Sequence, residues 1–258
     1  MLLAEIVASK HREVAALQAH LNVEKVKKAC QALPPPRDFA RPFGRGKFAL
    51  IAEVKKASPS AGVIVEKFEP VFLAKQYEEA GAGALSVLTD EKYFGGKLGH
   101  LKEVKDPTTI PVLRKDFIID AAQIYESRVA GADAILLIVR LLSDAQLAEY
   151  LDLARTLQLS CLVEAHDEPE VERALKSDAE IIGLNNRDLD TLAVDLQTSH
   201  RLLDKFPELR ARVVIAESGI KTGEEASSLR AKGVSGLLVG ESLLRSGDIA
   251  AKIKELLG

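Results

Sequence analysis

The 258-residue sequence contains no tryptophan, one methionine and only two cysteines. Cys30 and Cys161 lie far apart, and neither belongs to a CxxC pair or to a spacing that is typical of metal ligands. A disulfide-stabilised secreted protein and a zinc–cysteine protein are therefore not expected. We interpret the two cysteines as reduced packing residues of a cytoplasmic protein.

The sequence also has no large excess of one charge and no long apolar run. The formal net charge is −3, which favours neither nucleic acid nor an anionic membrane as a partner. No apolar run approaches the roughly 20 residues that a membrane-spanning helix needs. Charges enter the segment MLLAEIVASKHREVAAL within its first turns, so a secretory signal is not expected. The length is usual for a single α/β barrel domain, here residues 1–258.

Short segments rich in Val, Ile and Leu recur eight times. They are FALIAEV from Phe48, ALSVLTD from Ala84, PVLRKDF from Pro111, AILLIVR from Ala134, SCLVEAH from Ser160, EIIGLNN from Glu180, RVVIAES from Arg212 and GLLVGES from Gly236. Amphipathic stretches of helical length separate them, such as SDAQLAEYLDLARTLQ with Ser143 as its N-cap. Strands that alternate with helices form a parallel sheet. Eight such units predict an α/β fold, the (β/α)8 or TIM barrel.

A finer repeat favours closure of the sheet. The even-numbered strands follow the similar turns AGAGALSV, AGADAILL, KSDAEIIG and KGVSGLLV, three of which carry glycine near a helix end. A doubly wound open sheet is the alternative fold. That fold normally has a glycine-rich dinucleotide loop after its first strand, and AEVKKASPS is not one.

Residues 1–33 are predicted to form an N-terminal helical extension, with the helix running from residue 2 to about 32. The segment LPPPRDF ends it, and residues 34–47 are predicted to form a proline-rich linker into strand one. We expect the extra helix to lie across one mouth of the barrel. A coiled-coil handle is disfavoured because the apolar stripe is too short for sustained heptads.

Polar side chains stand at the carboxyl ends of the predicted strands. They are Glu53, Lys55, Lys115, Glu164, Asn185, Arg187 and Glu217. Side chains alternate along a strand, so if Ile51 packs inside the barrel, Glu53 and Lys55 point into its mouth. Any one of these groups could be a salt-bridged rim residue. Seven of them around one rim predict a functional pocket, because active sites of this fold lie at that end.

Lysines and glutamates that alternate around one rim also change one another's pKa. A partly desolvated lysine beside a second ammonium is expected to have a lowered pKa, and a glutamate beside lysines to stay ionised. The mouth could then supply a lysine acid and a glutamate base near neutral pH, without a metal or cofactor. No HExxH motif is present, and we interpret His166, on the strand of Glu164, as a supporting residue.

Two small-residue turns, AESGI and LVGES, follow strands seven and eight. Backbone N–H groups can approach a ligand at Gly219 and Gly240, and the helix N-termini beyond attract anions. Barrels of this fold commonly bind phosphate at these two loops. A phosphorylated small molecule is therefore the predicted substrate.

The sequence resembles the indole-3-glycerol phosphate synthase family of tryptophan biosynthesis along nearly its whole length. The most specific motifs are AEVKKASPS, LRKDFI and NNRDL, and the resemblance continues through LVEAHDE and through the less specific glycine turns VIAESGI and GLLVGESLL. The resemblance implies a (β/α)8 enzyme that converts 1-(2-carboxyphenylamino)-1-deoxyribulose 5-phosphate into indole-3-glycerol phosphate, with release of CO2 and water. It implies no cofactor and no metal.

The resemblance also implies residue roles. Lys115 would be the general acid during ring closure, and Glu164 the base that assists loss of the hydroxyl. Lys55 would hold the anthranilate carboxylate and could act as the acid in dehydration, with Glu53 balancing the lysine charges. Polar groups of the substrate would be contacted by Asn185 and Glu217.

Two further groups of residues are implied to bind the substrate. The walls of the aromatic-ring site would be Phe94, Phe117, Leu136 and Leu238. The phosphate and glycerol chain would be bound by Ser58, Arg187, Ser218, Gly219, Gly240 and Glu241. Glu241 stands where many relatives have serine, so its backbone N–H, and not its side chain, is the expected contact.

Two alternative functions are open at this point. Another phosphate-binding barrel enzyme, such as phosphoribosylanthranilate isomerase, would need a Cys/Asp acid–base pair, whereas strand one offers Glu53 and Lys55. A non-catalytic phosphosugar-binding protein would need only the glycine turns. We expect a monomer or a weak homo-oligomer.

Overall fold

The computed structural model describes residues 2–20 and 22–258. Eight parallel strands form a closed barrel in which the first strand pairs with the second and the last. They are β1 (Ala49–Val54), β2 (Ala84–Leu88), β3 (Val112–Lys115), β4 (Ala134–Ile138), β5 (Ser160–Ala165), β6 (Ile181–Asn185), β7 (Val213–Glu217) and β8 (Gly236–Val239). Each lies within one of the eight predicted segments, so the (β/α)8 prediction is confirmed.

Helices precede, connect and follow the strands. They are α1 (Leu2–His20), α2 (Val23–Ala32), α3 (Pro70–Glu79), α4 (Glu91–Phe94), α5 (Gly99–Lys105), α6 (Ala121–Val129), α7 (Asp144–Thr156), α8 (Glu168–Lys176), α9 (Gln197–Lys205), α10 (Gly223–Ala231), α11 (Glu241–Leu244) and α12 (Ile249–Leu257). A short antiparallel hairpin pairs Ala57–Ser58 with Gly62–Val63 in the loop after β1. None of the described helices is long and apolar enough to cross a membrane.

The turns between units have the chemistry that the sequence predicts. The Ser143 side chain accepts a hydrogen bond from the Gln146 N–H and caps α7. After α3, α6 and α10, glycines take left-handed φ values of 98°, 93° and 102°, which favours glycine over any residue with a Cβ. In the fourth turn Asp178 takes this conformation, with φ of 59°.

Each strand is buried on both faces. In β1, Leu50, Ala52 and Val54 pack towards the surrounding helices, while Ile51 belongs to the cluster inside the barrel. Glu53 has the parity of Ile51 and is only 7% exposed. Burial of each such apolar side chain contributes roughly 1.5–3 kcal/mol, so alternation along β1 fixes Glu53 on the inner face.

The linker residues close the amino-terminal end of the barrel. Phe39 and Phe43 are fully buried, with ring centroids 5.8 Å apart. A Cβ on Gly236, at the start of β8, would lie 2.7 Å from Cδ1 of Phe43, so the plug requires glycine there. The Arg37 backbone N–H donates to Asp133 at 2.6 Å and anchors the linker. The opposite, carboxyl-terminal end is left as the mouth.

The N-terminal extension is helical, but it consists of two helices and not one. The Asn22 side chain accepts a hydrogen bond from the Lys25 N–H at 2.9 Å, and this cap starts α2 in a new direction. Leu3 and Ile6 of α1 belong to the apolar cluster that contains residues of the carboxyl-terminal mouth. Helix α1 therefore covers that mouth, while α2 packs on α6.

Candidate active site

A lysine between carboxylates lies at the centre of the mouth. Lys115 Nζ, at the end of β3, is 3.2 Å from Glu164 Oε2 on β5 and 3.9 Å from Glu217 Oε2 on β7. The Asn185 side chain donates from Nδ2 to Glu164 Oε1 at 2.9 Å, which fixes the orientation of that carboxylate. Four strands thus bring these residues to one place, as alternation and strand-end position predict.

Glu53 lies on the same inner surface, between cations. Its Oε1 is 2.5 Å from Lys55 Nζ. Burial alone would raise the pKa of Glu53, but the charges of Lys55, Lys115 and Arg187 outweigh burial and hold the pKa below its ordinary value. Glu53 is therefore ionised, as predicted.

The pKa of Lys115 is raised, whereas we predicted a lowered pKa from the sequence. Burial by itself would lower it, but the carboxylates of Glu164, Glu217 and Glu53 raise it above the ordinary value of 10.5. The prediction that a second ammonium would loosen the lysine proton is wrong, because the negative charge near Lys115, that of Glu164 above all, raises the pKa of the lysine. In the ligand-free mouth Lys115 is a firmly charged ammonium.

Glu217 also departs from the expectation of ionised carboxylates. Burial and the neighbouring Glu164 carboxylate raise the pKa of Glu217 well above its ordinary value of 4.5, and Lys115 compensates only in part. Its Oε1 is buried without a hydrogen-bond partner among the described residues. Loss of solvent and the neighbouring negative charge therefore both favour the protonated form of Glu217.

The charge balance of the mouth suits an anionic substrate. With Glu217 protonated, the cations Lys55, Lys115 and Arg187 face the two carboxylates of Glu53 and Glu164, which leaves one positive charge in excess. An anionic substrate is attracted to this excess, and low-dielectric walls strengthen the attraction.

An apolar surface borders the charged groups on one side. The rings of Phe94 and Phe117 have centroids 6.1 Å apart at 40° to each other. Leu136 and Leu238 belong to the same apolar cluster. Leu3 and Ile6 of α1 belong to this cluster as well, so the cluster joins α1 to the apolar side chains inside the barrel.

The loop after β7 has the tight backbone that a phosphate site needs. Ser218 and Gly219 both have left-handed φ values, 65° and 82°. A Cβ on Gly219 would overlap the Val194 side chain, so glycine is required there. The Asn186 side chain donates to the Ser218 carbonyl at 3.1 Å and holds this turn in place.

The loop after β8 lies beside it. The Ser242 hydroxyl donates to the Ile220 carbonyl at 2.9 Å, which joins the two loops. A Cβ on Gly240 would lie 2.5 Å from Glu53 Oε1, so this glycine gives the acidic side chain its room. The Glu241 carboxylate pairs with Arg245 at 2.9 Å on the outside, consistent with a contact through its backbone N–H alone.

Two expected binding residues lie at the edges of the mouth. Ser58 is buried in the short hairpin after β1, where its Oγ accepts from the Ala61 N–H at 3.2 Å. Arg187 donates from Nη1 to the Leu192 carbonyl at 3.0 Å, so its side chain is tied to its own loop.

His166 has the supporting place that we predicted. Its Nδ1 lies 2.7 Å from the Asn185 carbonyl and its Nε2 3.6 Å from Asp188. Sequence reasoning missed Ser86, whose buried hydroxyl has no hydrogen-bond partner in the described chain. Ser86 pairs in register with Glu53, and its polar character within ALSVLTD was the available signal.

The chemistry of the isomerase alternative does not fit this mouth. Cys161 is the second residue of β5, at the amino end of the barrel, and Cys30 is buried in α2. Within residues 2–20 and 22–258, no three His, Cys, Asp or Glu side chains are grouped so that they could hold a metal ion.

Gly183→Ala is expected to lower kcat/KM by about 10²-fold, because a displacement of about 1 Å in a catalytic group has effects of this size. The added Cβ would overlap Glu217 Oε1 and displace that carboxyl from its place beside Lys115. Gly44→Ala is the control, since its Cβ would meet only the Arg41 carbonyl at an ordinary 3.7 Å. Steady-state kinetics on both variants tests the prediction, and equal rates would refute it.

Known proteins resemble this chain over nearly its whole length. The family model for indole-3-glycerol phosphate synthase matches residues 3–256. The indole-3-glycerol phosphate synthase of Desulforamulus reducens is 44% identical over 99% of this chain and 97% of its own. That of Acetivibrio thermocellus is 46% identical over 99% and 98%.

Solved structures match the fold alone. A 3-hexulose-6-phosphate synthase structure superposes with a TM-score of 0.63 at 18% identity, over 81% of this chain and 97% of that one. A mutant tryptophan synthase alpha-subunit from Pyrococcus furiosus gives 0.62 at 18% identity, over 81% and 98%. Together with the family match and the curated relatives, these findings show that the chain belongs to the indole-3-glycerol phosphate synthase family of carboxy-lyases.

Proposed function

We propose that Lys115 and Glu164 perform the proton transfers of the synthase reaction in this chain. The reaction is that of the family: the carboxyphenylamino deoxyribulose phosphate becomes indole-3-glycerol phosphate with loss of CO2 and water, in tryptophan biosynthesis. The observation that carries the proposal is the 3.2 Å pair of Lys115 and Glu164, located between an apolar wall and two glycine turns.

The substrate would span the mouth. Its aromatic ring would pack between Phe94 and Phe117, and its carboxylate would pair with Lys55. The phosphate would be bound at the far side by the backbone of the turns after β7 and β8, with Ser58 and Arg187 beside them. Binding at both ends would fold the flexible sugar chain so that its ketone meets the ring.

Ring closure needs an acid at the ketone. As the aromatic carbon attacks the carbonyl carbon, the carbonyl oxygen takes a proton, and Lys115 is the ammonium nearest the centre of the mouth. CO2 then leaves from the ring carbon that has lost its aromaticity. The electron pair of the broken bond returns to the ring system.

Loss of water completes the indole. The new hydroxyl must leave with a proton from a lysine, Lys115 or Lys55, while a base removes the proton whose loss restores aromaticity. Glu164 is ideally held for the base role, because Asn185 orients its carboxylate. The proton that Glu164 removes can pass to Lys115, 3.2 Å away, which gave its own proton to the substrate oxygen. The further proton that the overall reaction consumes comes from water.

The raised pKa of Lys115 changes how the acid works. A lysine paired with carboxylates holds its proton too firmly to be a strong acid. It stabilises negative charge on the oxygen by hydrogen bonding, and transfers the proton as the oxygen becomes basic. When the substrate binds, we therefore expect Lys115 to leave its ion pair with Glu164 and to donate a hydrogen bond to the substrate oxygen.

Glu217→Gln is expected to make stability less dependent on pH. Because the folded pKa is raised, Glu217 stabilises the folded state below its ordinary pKa of 4.5, and this contribution is lost as pH rises through the raised pKa. Free energies of unfolding in urea at about pH 5 and about pH 8 test this. Wild type should lose more stability over this interval than the variant, and equal losses would contradict the shift.

Purified protein should increase indole fluorescence when it is given the carboxyphenylamino substrate, with the same rate before and after treatment with a chelator. No product in this assay would overturn the proposed activity, and a loss caused by the chelator would overturn the metal-free chemistry. We further propose a cytoplasmic location, since phosphorylated biosynthetic intermediates are made and consumed inside cells. The monomer or weak homo-oligomer stays a prediction that sedimentation can check.

A further inference from the structure

One lysine outside the mouth chemistry is almost completely buried. Lys10, in the middle of α1, is 1% exposed. Its Nζ lies 2.8 Å from Asp116 Oδ1, 2.9 Å from Asp90 Oδ2 and 2.7 Å from Glu13 Oε2. Glu13 belongs to the same helix and is half-exposed, whereas both aspartates belong to loops of the barrel.

The first aspartate supports the ring wall. Asp90 follows β2, and its Oδ1 accepts from the Tyr93 N–H at 2.8 Å, which caps the short helix α4. That helix ends at Phe94. The other oxygen, Oδ2, faces Lys10 as a close ion pair and has no aligned hydrogen bond.

The second aspartate is the immediate neighbour of the catalytic lysine. Asp116 is fully buried and accepts from its neighbour's backbone, the Phe117 N–H, at 2.8 Å. Its Oδ2 accepts from the Arg114 guanidinium at 3.0 Å, while Oδ1 pairs with Lys10. Asp116 lies between Lys115 and Phe117, so these contacts fix the backbone segment that carries both side chains.

An apolar anchor could hold α1 as well as this ion pair does. Burial of a charge costs several kcal/mol before its partners repay it, and apolar substitutes are often as stable. Leu3 and Ile6 already pack α1 against the mouth. A buried ammonium that pairs with carboxylates of two separate loops instead fixes the positions of those loops, because both carboxylates must lie next to the same nitrogen atom.

We propose that Lys10 is a positioning residue for the synthase reaction, which joins α1 to Asp90 and Asp116 and thereby places Phe94, Phe117 and Lys115 around the substrate. This inference rests on the proposed function. It gives α1 a part in catalysis although none of its polar groups is assigned to the substrate.

Lys10→Met tests the proposal, since methionine keeps the apolar length of the stem and removes the charge. We expect KM to rise about tenfold or more, because the ring wall loses its fixed place, with a smaller fall in kcat. Assays are run well below the melting temperature of the variant, where it is fully folded. Hydrogen exchange at residues 89–95 and 116–118 should become faster in the same sample.

The matched control is Lys27→Met, which removes an exposed lysine of α2 that pairs with Glu24 at 3.3 Å. Its KM should equal that of wild type. If wild type and this control form no product, the proposed function fails. If both are active and folded Lys10→Met has their KM, kcat and exchange rates, the role of Lys10 is refuted.

If Lys10→Met does not fold, a second variant tests the proposal. Asp90→Asn retains a side-chain oxygen that can cap α4 but removes the charge that faces Lys10. The double variant Lys10→Met, Asp90→Asn removes both the ammonium and the carboxylate that faces it, so position 90 carries no unpaired charge. We expect stability to recover while KM stays raised, because the link to α1 is still missing. Recovery of a wild-type KM would show that Lys10 acts only on stability.

Discussion

Lys115→Ala is expected to lower kcat/KM by at least about 10³-fold, which is the combined scale of a lost general acid and a lost oxyanion donor. The ammonium is the only cation within 4 Å of Glu164 in the described chain, at 3.2 Å. Without it, the ketone oxygen loses the ammonium that we propose as its proton donor. Steady-state assays of indole formation measure the effect.

The fold of Lys115→Ala should survive, because Glu217 already carries its proton and Asn185 still holds Glu164. Lys102→Ala is the matched control, since this lysine of α5 is exposed and pairs only with Asp106 at 3.4 Å. Circular dichroism should be unchanged in both variants. Turnover near the wild-type rate in Lys115→Ala would remove the acid role from this residue.

Glu164→Gln is expected to lower the rate of indole formation by about 10²–10⁴-fold, the range for a lost general base. Glutamine has nearly the same shape and keeps an oxygen that can accept from Asn185 Nδ2, so only the basic charge disappears. The exposed Glu172→Gln of α8 is the control, and its rate should not change.

The variant Glu164→Gln also separates the steps of the reaction. If Glu164 acts after ring closure, CO2 is released by the variant faster than indole is formed, and the intermediate accumulates. Labelled CO2 and indole fluorescence followed in one reaction measure the two rates. If the variant releases CO2 and forms indole at equal rates, both as fast as in wild type, Glu164 is excluded as the base.

The fold could be predicted because local signals agree along the chain. Apolar segments of strand length, capped helices such as the one after Ser143, and left-handed glycine turns all indicate the same repeated unit. Parity within one strand then places Glu53 beside Ile51 on the inner face. Strand-end position alone brought Lys115, Glu164, Asn185 and Glu217 to one mouth.

The protonation states could not be predicted in the same way. The pKa of Lys115 depends on how many carboxylates surround it, and those come from β1, β5 and β7, whose side-chain distances no sequence spacing contains. The raised pKa of Glu217 likewise needs its burial and its approach to Glu164. The buried pairs of Lys10 were missed because they join residues far apart in the chain, whereas the cap at Asn22 is a local signal that we overlooked in the sequence.

A crystal structure with the product, indole-3-glycerol phosphate, tests most directly whether these groups form one active site. The indole should pack between Phe94 and Phe117, with the phosphate on the backbone of Ser218, Gly219 and Gly240. The former ketone oxygen has left this product as water, so Lys115 Nζ should lie in contact with the indole carbon that carried it. Product bound elsewhere, or with Lys115 and Glu164 both out of contact, would contradict the assignment of the mouth.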